Sequence, residues 1–276
     1  MQVLQPHDHL AAYEIVREVA QGQYAAVYEA RHTHPKLRHR PIALRVLRYN
    51  EYAQHFMSAA RLNACMEHPR IPALHEVGET AGRLYWARSF VEGDDLQNDI
   101  RGPSRKIEDV LRIAAELAGP LDYAHGRGIV HGCVHPRHVL LGPAGFAWLI
   151  GFGEYPLASA KDLRNPLHFA PEQFANGAVT PACDVYCLSE TCFWMLCGRH
   201  PFDTLRTTAL LEAKLAGQVA RNLHEIRPEV VAGVEQVLLR GLAPDPAARY
   251  ASPGEFATAL VGAHCAAKKT WWRLWG

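Results

Sequence analysis

The segment Val185–Leu196 is apolar on almost every side. A helix at a protein surface keeps one polar face, so a helix that is apolar all round has to be covered on every side. A chain with such a segment builds its helical part around it. The remainder changes character once. Ahead of Gly93, short apolar runs alternate with turns rich in His, Pro and Arg. Strands are predicted at Tyr13–Ala20, Ala25–His32, Pro41–Tyr49, Ala73–Glu79 and Arg83–Val91, and a helix at Tyr52–Met66, which His68-Pro69 ends. From Glu108 the spacing is helical, with apolar residues at Val110, Ile113, Ala114, Leu117 and Leu121. Strands first and helices after predict an α+β chain of two lobes joined near Phe90–Gly93.

At 276 residues the chain can bury a large core, as one bilobal domain or two small ones. Hydrophobic residues at 49% and charged residues at 21% are globular proportions and exclude a disordered chain. A net charge of +1 excludes a surface given over wholly to nucleic acid. Met1–Ala12 includes Pro6 and Asp8 and lacks the apolar core of a signal peptide. No apolar run approaches membrane-spanning length, and a cytoplasmic protein is expected. Cys183, Cys187, Cys192 and Cys197 crowd one apolar stretch and are read as small core hydrophobes in a reducing compartment. Cys183 and Cys187 stand one helical turn apart, a spacing open to metal, but no further ligands lie near them in sequence.

Seven motifs then occur in one order. They are V-A-Q-G-Q-Y-A-A-V-Y (Val19–Tyr28), I-A-L-R (Ile42–Arg45), I-V-H-G-C-V-H-P-R-H-V-L-L (Ile129–Leu141), G-F-G (Gly151–Gly153), F-A-P-E-Q (Phe169–Gln173), D-V-Y-C-L (Asp184–Leu188) and D-P-A-A-R-Y (Asp245–Tyr250). In this order, from about Tyr13 to Leu260, the chain resembles the protein kinase family, and bacterial Ser/Thr kinases above all. The resemblance implies a β-rich N-lobe over about 13–91 and a helical C-lobe over about 93–262, with 1–12 as a leader and 263–276 as a tail. It implies structural roles for five residues. Glu172 would pair with Arg249, Asp184 would hold the backbone of the catalytic loop, and His131 and Phe152 would be core residues. Gly22, Val27, Ala43, Arg45, Arg88 and Leu140 would line a vestigial nucleotide cleft.

Measured against the same motifs, the phosphotransfer residues depart from the family. Arg45 stands for the phosphate-gripping lysine, and Ala59 for the glutamate that pairs with it. Cys133 stands for the catalytic aspartate and His135 for the lysine two residues on. His138 and Gly151 stand for the magnesium ligands. Magnesium takes oxygen ligands, and phosphoryl transfer depends on neutralised charge. Ala20 and Ala25 replace flanking glycines of the phosphate loop. Arg88 falls at the gatekeeper position, either facing inward to give a cationic cleft for an anion without magnesium, or lying on the surface after a small alignment slip. Glu154 is the candidate replacement acid, with a solvated loop acid as the alternative.

The expectation drawn is a pseudokinase: no catalytic residue, no cofactor, no metal, and a role as an interaction or scaffolding module for a protein partner such as an active kinase or a membrane-associated complex, with no nucleic acid. A metal-independent anion or nucleotide sensor, and a kinase with relocated residues, are the alternatives. Three further features stand apart. Cys133, His135 and His138 are zinc-type ligands, set against drift after loss of catalysis. Tyr155 and Ser159 are the hydroxyls of a short segment in which Asn165 replaces a threonine, so regulation by phosphorylation there is not expected. The final stretch A-A-K-K-T-W-W-R-L-W-G places Trp271, Trp272 and Trp275 beside cations, as a brace on the helical lobe or as a peripheral membrane contact.

Overall fold

In a computed structural model of the chain, residues 3–22, 24–100, 104–154, 166–174, 179–202, 207–219 and 222–275 are described. The chain divides into two units, 1–92 and 93–276.

The first unit is an antiparallel sheet with one helix. Its strands are β1 (His9–Leu10), β2 (Tyr13–Gln21), β3 (Ala25–His32), β4 (Pro41–Leu47), β5 (Leu74–Thr80) and β6 (Arg83–Ser89), with helix α1 (Ala53–Ala64) between β4 and β5. The strand order is β1-β2-β3-β4-β6-β5. β1 pairs with β2, and Leu4 packs on the sheet core, so the residues expected to be a leader belong to this unit. Alternation sorts each strand onto two faces. Ala26, Tyr28, Ala30, Ile42, Leu44, Val46, Tyr85 and Ala87 build a core on one face. Val27 pairs with Arg45, Arg45 with Trp86, and Ala43 with Arg88, so these residues share the other face.

Beside that core the half-buried Glu76 accepts hydrogen bonds from the hydroxyls of Tyr13 (2.7 Å) and Tyr85 (2.6 Å). Burial, then the Glu76 hydrogen bond and charge, pushes the Tyr85 phenol up to about 12. A phenol whose folded value is raised contributes stability below its unfolded value near 10, and loses it as pH climbs through the folded value. The urea midpoint is therefore expected to fall between about pH 10 and 12, and to fall less steeply in Tyr85→Phe. Parallel pH profiles for the two proteins would reject the linkage.

The second unit is mainly helical. Its elements are β7 (Asp94–Asp95), α2 (Leu96–Asp99), α3 (Ile107–His125), β8 (Val139–Leu141), β9 (Ala147–Leu149), α4 (Pro171–Phe174), α5 (Pro181–Cys197), α6 (Thr207–Leu215), α7 (Leu223–Ile226), α8 (Ala232–Gly241) and α9 (Pro253–Trp275). Strands β7, β8 and β9 form a small sheet. Helix α5 starts on Pro181, where a missing N–H leaves nothing unpaired, and ends on Gly198 at φ 67°, a left-handed cap that glycine adopts without strain. Every residue from Cys183 to Phe193 is buried, including Asp184, Ser189, Glu190 and Thr191. The expected all-round burial therefore extends to polar residues, whose partners position the site described next.

Helix α9 runs on through Trp275, so no break separates the segment expected to be a tail. The side chains of Trp271, Trp272 and Trp275, and the residues Tyr155, Ser159 and Asn165, lie outside the described residues. Among the described residues, no helix is long and apolar enough to cross a membrane. All seven cysteines are free thiols.

Candidate functional site

The loop from His131 to His138 connects α3 to β8, and its path is set from the buried helix. Asp184, fully buried on α5, accepts the backbone N–H of His131 (2.9 Å) and of Gly132 (2.7 Å), and a hydrogen bond from His125 Nε2 (2.7 Å). Gln173 Nε2 donates to the Gly132 carbonyl (2.8 Å). His131 Nδ1 accepts the Cys133 N–H (3.3 Å), so its Nε2 carries hydrogen and donates to the Ile150 carbonyl (2.9 Å). Its ring stands 4.7 Å from that of Phe152. Burial, reinforced by His138, brings His131 down to about 4, so it is neutral near pH 7.

On this frame three side chains gather. The donor atoms of Cys133, His135 and His138 all lie within 4.8 Å of one another. His138 Nδ1 donates to the Cys133 carbonyl (2.9 Å), and its Nε2 lies 3.6 Å from Glu154 Oε2. A turn closed by Glu154 N–H donating to the Gly151 carbonyl brings that acid back to the loop. Gly151 sits at φ 96°, and a Cβ there would meet the His138 ring at 2.7 Å. The imidazole thus fills the space that a side chain at 151 would need. The rings of His135 and His138 are 3.9 Å apart, and His135 stacks on His168 at 4.7 Å. Burial pushes the Cys133 thiol up and holds His135 down.

Behind the loop lies a second group that sequence reasoning missed. Lys214 of α6, fully buried, donates to Glu190 Oε1 (2.8 Å) and to the carbonyls of Leu167 (2.6 Å) and Phe169 (2.8 Å). His200 and His168 flank the other carboxylate oxygen at 3.3 and 3.8 Å. Burial alone would raise the Glu190 carboxyl; Lys214 and His200 outweigh it and hold the group well below the usual range. The one signal in the sequence was an acid inside an apolar helix.

Glu172 and Arg249 form a two-pronged pair, with Arg249 Nη1 and Nη2 donating to the two carboxylate oxygens at 2.7 Å each. Arg249 also donates to the carbonyls of Ala182, Ala243 and Pro244.

In the first unit, Arg45 donates from Nη2 to the Tyr24 hydroxyl (2.7 Å), and its guanidinium lies 5.0 and 5.2 Å from the ring centres of Tyr24 and Trp86. A planar guanidinium can stack flat on an aromatic ring, which an ammonium cannot. Ala59 is buried on α1. Arg88 is half-buried on β6. Gly22 closes the turn between β2 and β3, its N–H donating to the Ala25 carbonyl. Leu140 is half-buried on β8 and belongs to the second unit.

Residues 13–251 match the family described as protein tyrosine and serine/threonine kinase. The serine/threonine-protein kinase PknJ of Mycobacterium tuberculosis is 30% identical over 276 residues, covering 92% of this chain and 45% of that protein. PknH of the same organism is 28% identical over 261 residues, covering 90% of this chain and 41% of its own length. The chain thus spans less than half the length of these relatives. The crystal structure of the Mycobacterium tuberculosis PknI kinase domain superposes with a TM-score of 0.75 at 30% identity, over 95% of this chain and 100% of the other.

These relatives correct the expectation of a non-enzymatic scaffolding pseudokinase: proteins that match nine-tenths of the chain are named serine/threonine kinases. That expectation rests on the joint departure at Arg45, Ala59, Cys133, His138 and Gly151, and leaves Glu154 as either a replacement acid or a solvated loop acid. The fold brings it beside His138 with its side chain only 20% exposed, so a carboxylate does stand at the loop.

Proposed function

We propose that this chain, which belongs to the protein tyrosine and serine/threonine kinase family, is the phosphotransfer module of a serine/threonine protein kinase, with its acid moved to Glu154. The observation that carries the reading is the catalytic loop built on Asp184, together with the Glu154 carboxylate folded back against it. The names of the relatives and the intact Glu172–Arg249 pair support it.

The magnesium that family chemistry uses does not fit this site. Magnesium takes oxygen ligands. Cys133, His138 and Gly151 hold the relevant positions, with Glu154 alone supplying carboxylate oxygens among them. The chain's own residues take these parts: backbone bonds to Asp184 fix the loop, His138 orients Glu154, and Glu154 provides the negative charge next to the acceptor hydroxyl. Arg45, fixed between two rings, provides positive charge in the first unit. The substrate class is a protein serine or threonine, and seven free thiols favour a cytoplasmic setting.

The test is transfer of labelled γ-phosphate from ATP to a generic protein substrate by the purified chain. Glu154→Gln is expected to slow transfer by about 10²-fold, the scale for a positioned acid or base. Equal rates would remove Glu154 from the reaction. No transfer above a heat-denatured control would overturn the reading itself.

A further inference from the structure

A cation at position 45 needs a fixed direction if it is to meet a ligand without a large loss of rotamer freedom. The family resemblance assigns that task to a glutamate of α1, and the residue there is Ala59, whose buried methyl group accepts no hydrogen bond. Tyr24, in the turn between β2 and β3, supplies a different hold. Its hydroxyl accepts from Arg45 Nη2 at 2.7 Å, and its ring centre lies 5.0 Å from the guanidinium. Guanidinium carries its N–H donors in one plane, so a bond at one edge sets the aim of the rest.

Tyr24 is itself held in place. Its carbonyl accepts the Arg48 N–H at 2.8 Å, just past the end of β4. Its ring lies 5.8 Å from that of Tyr52, the residue before α1, and meets His55, in the first turn of α1, edge to face at 6.0 Å. Only 8% of this turn residue is exposed. The second ring beside the guanidinium, Trp86 at 5.2 Å, packs on Phe56 of α1 at 5.3 Å. Both rings that flank Arg45 therefore rest on the helix that lacks the acid. We propose that Tyr24 is the positioning residue of Arg45, taking over the part of the acid missing at Ala59 and aiming the guanidinium at the phosphate groups of a nucleotide. The inference rests on the proposed function in one point, that Arg45 meets phosphate, and needs neither the transfer step nor Glu154. Helix α1 then acts on Arg45 through aromatic neighbours and not through an ion pair.

The experiment is calorimetric titration of the purified full chain with ATP and with adenosine, for the parent, Tyr24→Phe, Arg45→Met and the double variant. Tyr24→Phe keeps the ring and removes only the hydroxyl. It is expected to weaken ATP binding about 10-fold, the scale of one hydrogen bond to a charged group, and to leave adenosine, which carries no phosphate, unchanged. In the Arg45→Met background the same change is expected to add nothing, because Tyr24 acts through Arg45. Additive losses overturn the proposal. So do equal losses for ATP and adenosine, unchanged ATP affinity in Tyr24→Phe, or a parent that binds no ATP. If Arg45→Met abolishes ATP binding, the contrast between ATP and adenosine in Tyr24→Phe decides. Circular-dichroism melts establish that each variant is folded. Should Tyr24→Phe fail to fold, Arg45→Lys takes its place: ATP held as tightly by lysine as by arginine overturns the proposal, and a loss confined to ATP supports it. ATP bound without any transfer would end the phosphotransfer reading and leave this one standing.

Discussion

Arg249→Ala lowers the stability of the protein by about 3–5 kcal/mol, the scale for removing one partner of a buried ion pair. The side chain is fully buried, and it satisfies both oxygens of Glu172 and three backbone carbonyls at once. Alanine leaves all of these acceptors facing a cavity. Burial alone would raise the Glu172 carboxyl; the Arg249 hydrogen bonds outweigh it and hold the group low. A depressed carboxyl contributes stability above its unfolded value near 4.5, and that contribution disappears as pH falls through the folded value. The difference between parent and Arg249→Ala should therefore be full at neutral pH and shrink in acid. Against a total of about 5–15 kcal/mol, this is a large fraction, and the melting temperature should drop by on the order of 10 °C. Arg249→Lys should recover only part, because an ammonium cannot reproduce the fork. A variant that melts as the parent does would show that the pair contributes nothing.

Lys214→Met is expected to be as damaging, for a different reason. The methionine stem fits the space between the rings of Tyr186 and Phe202, which lie 5.1 and 5.3 Å from Nζ, so packing is largely kept. What is lost is the positive charge against Glu190, along with the donor to Leu167 and Phe169. A buried carboxylate stripped of its principal cation costs about 3–5 kcal/mol. The double variant Lys214→Met/Glu190→Gln should regain part of that loss, since no uncompensated charge stays buried. Urea unfolding of the single and double variants measures the coupling, and additive losses would show that the two groups act independently.

The five longer strands of the first unit were legible because short apolar runs bounded by turns are written directly into the chain. Ala25–His32 was placed to the residue, and the others to within one or two at most boundaries. The pairing of Glu172 with Arg249 was legible only through the motif resemblance, since 77 residues separate them. Lys214 and Glu190 escaped because helical periodicity says which positions are covered, not what covers them. Lys214 sits in a short helix with nothing in its sequence to mark a buried ammonium. Glu154 was legible as the candidate replacement acid, but its setting was not. The turn that returns it to His138 depends on Gly151 at positive φ, and spacing along the chain does not reveal where such a turn aims the next acid.

The carboxylate of Asp184 grips the loop by the amides of His131 and Gly132, not by the side chains at 133, 135 or 138. At these two amides, path and chemistry are uncoupled. These two anchors hold whatever groups those three positions display, so a thiol or an imidazole can replace a charged residue there without loosening them. Such a loop can be rewritten one residue at a time, each step presenting new donors at an inherited address.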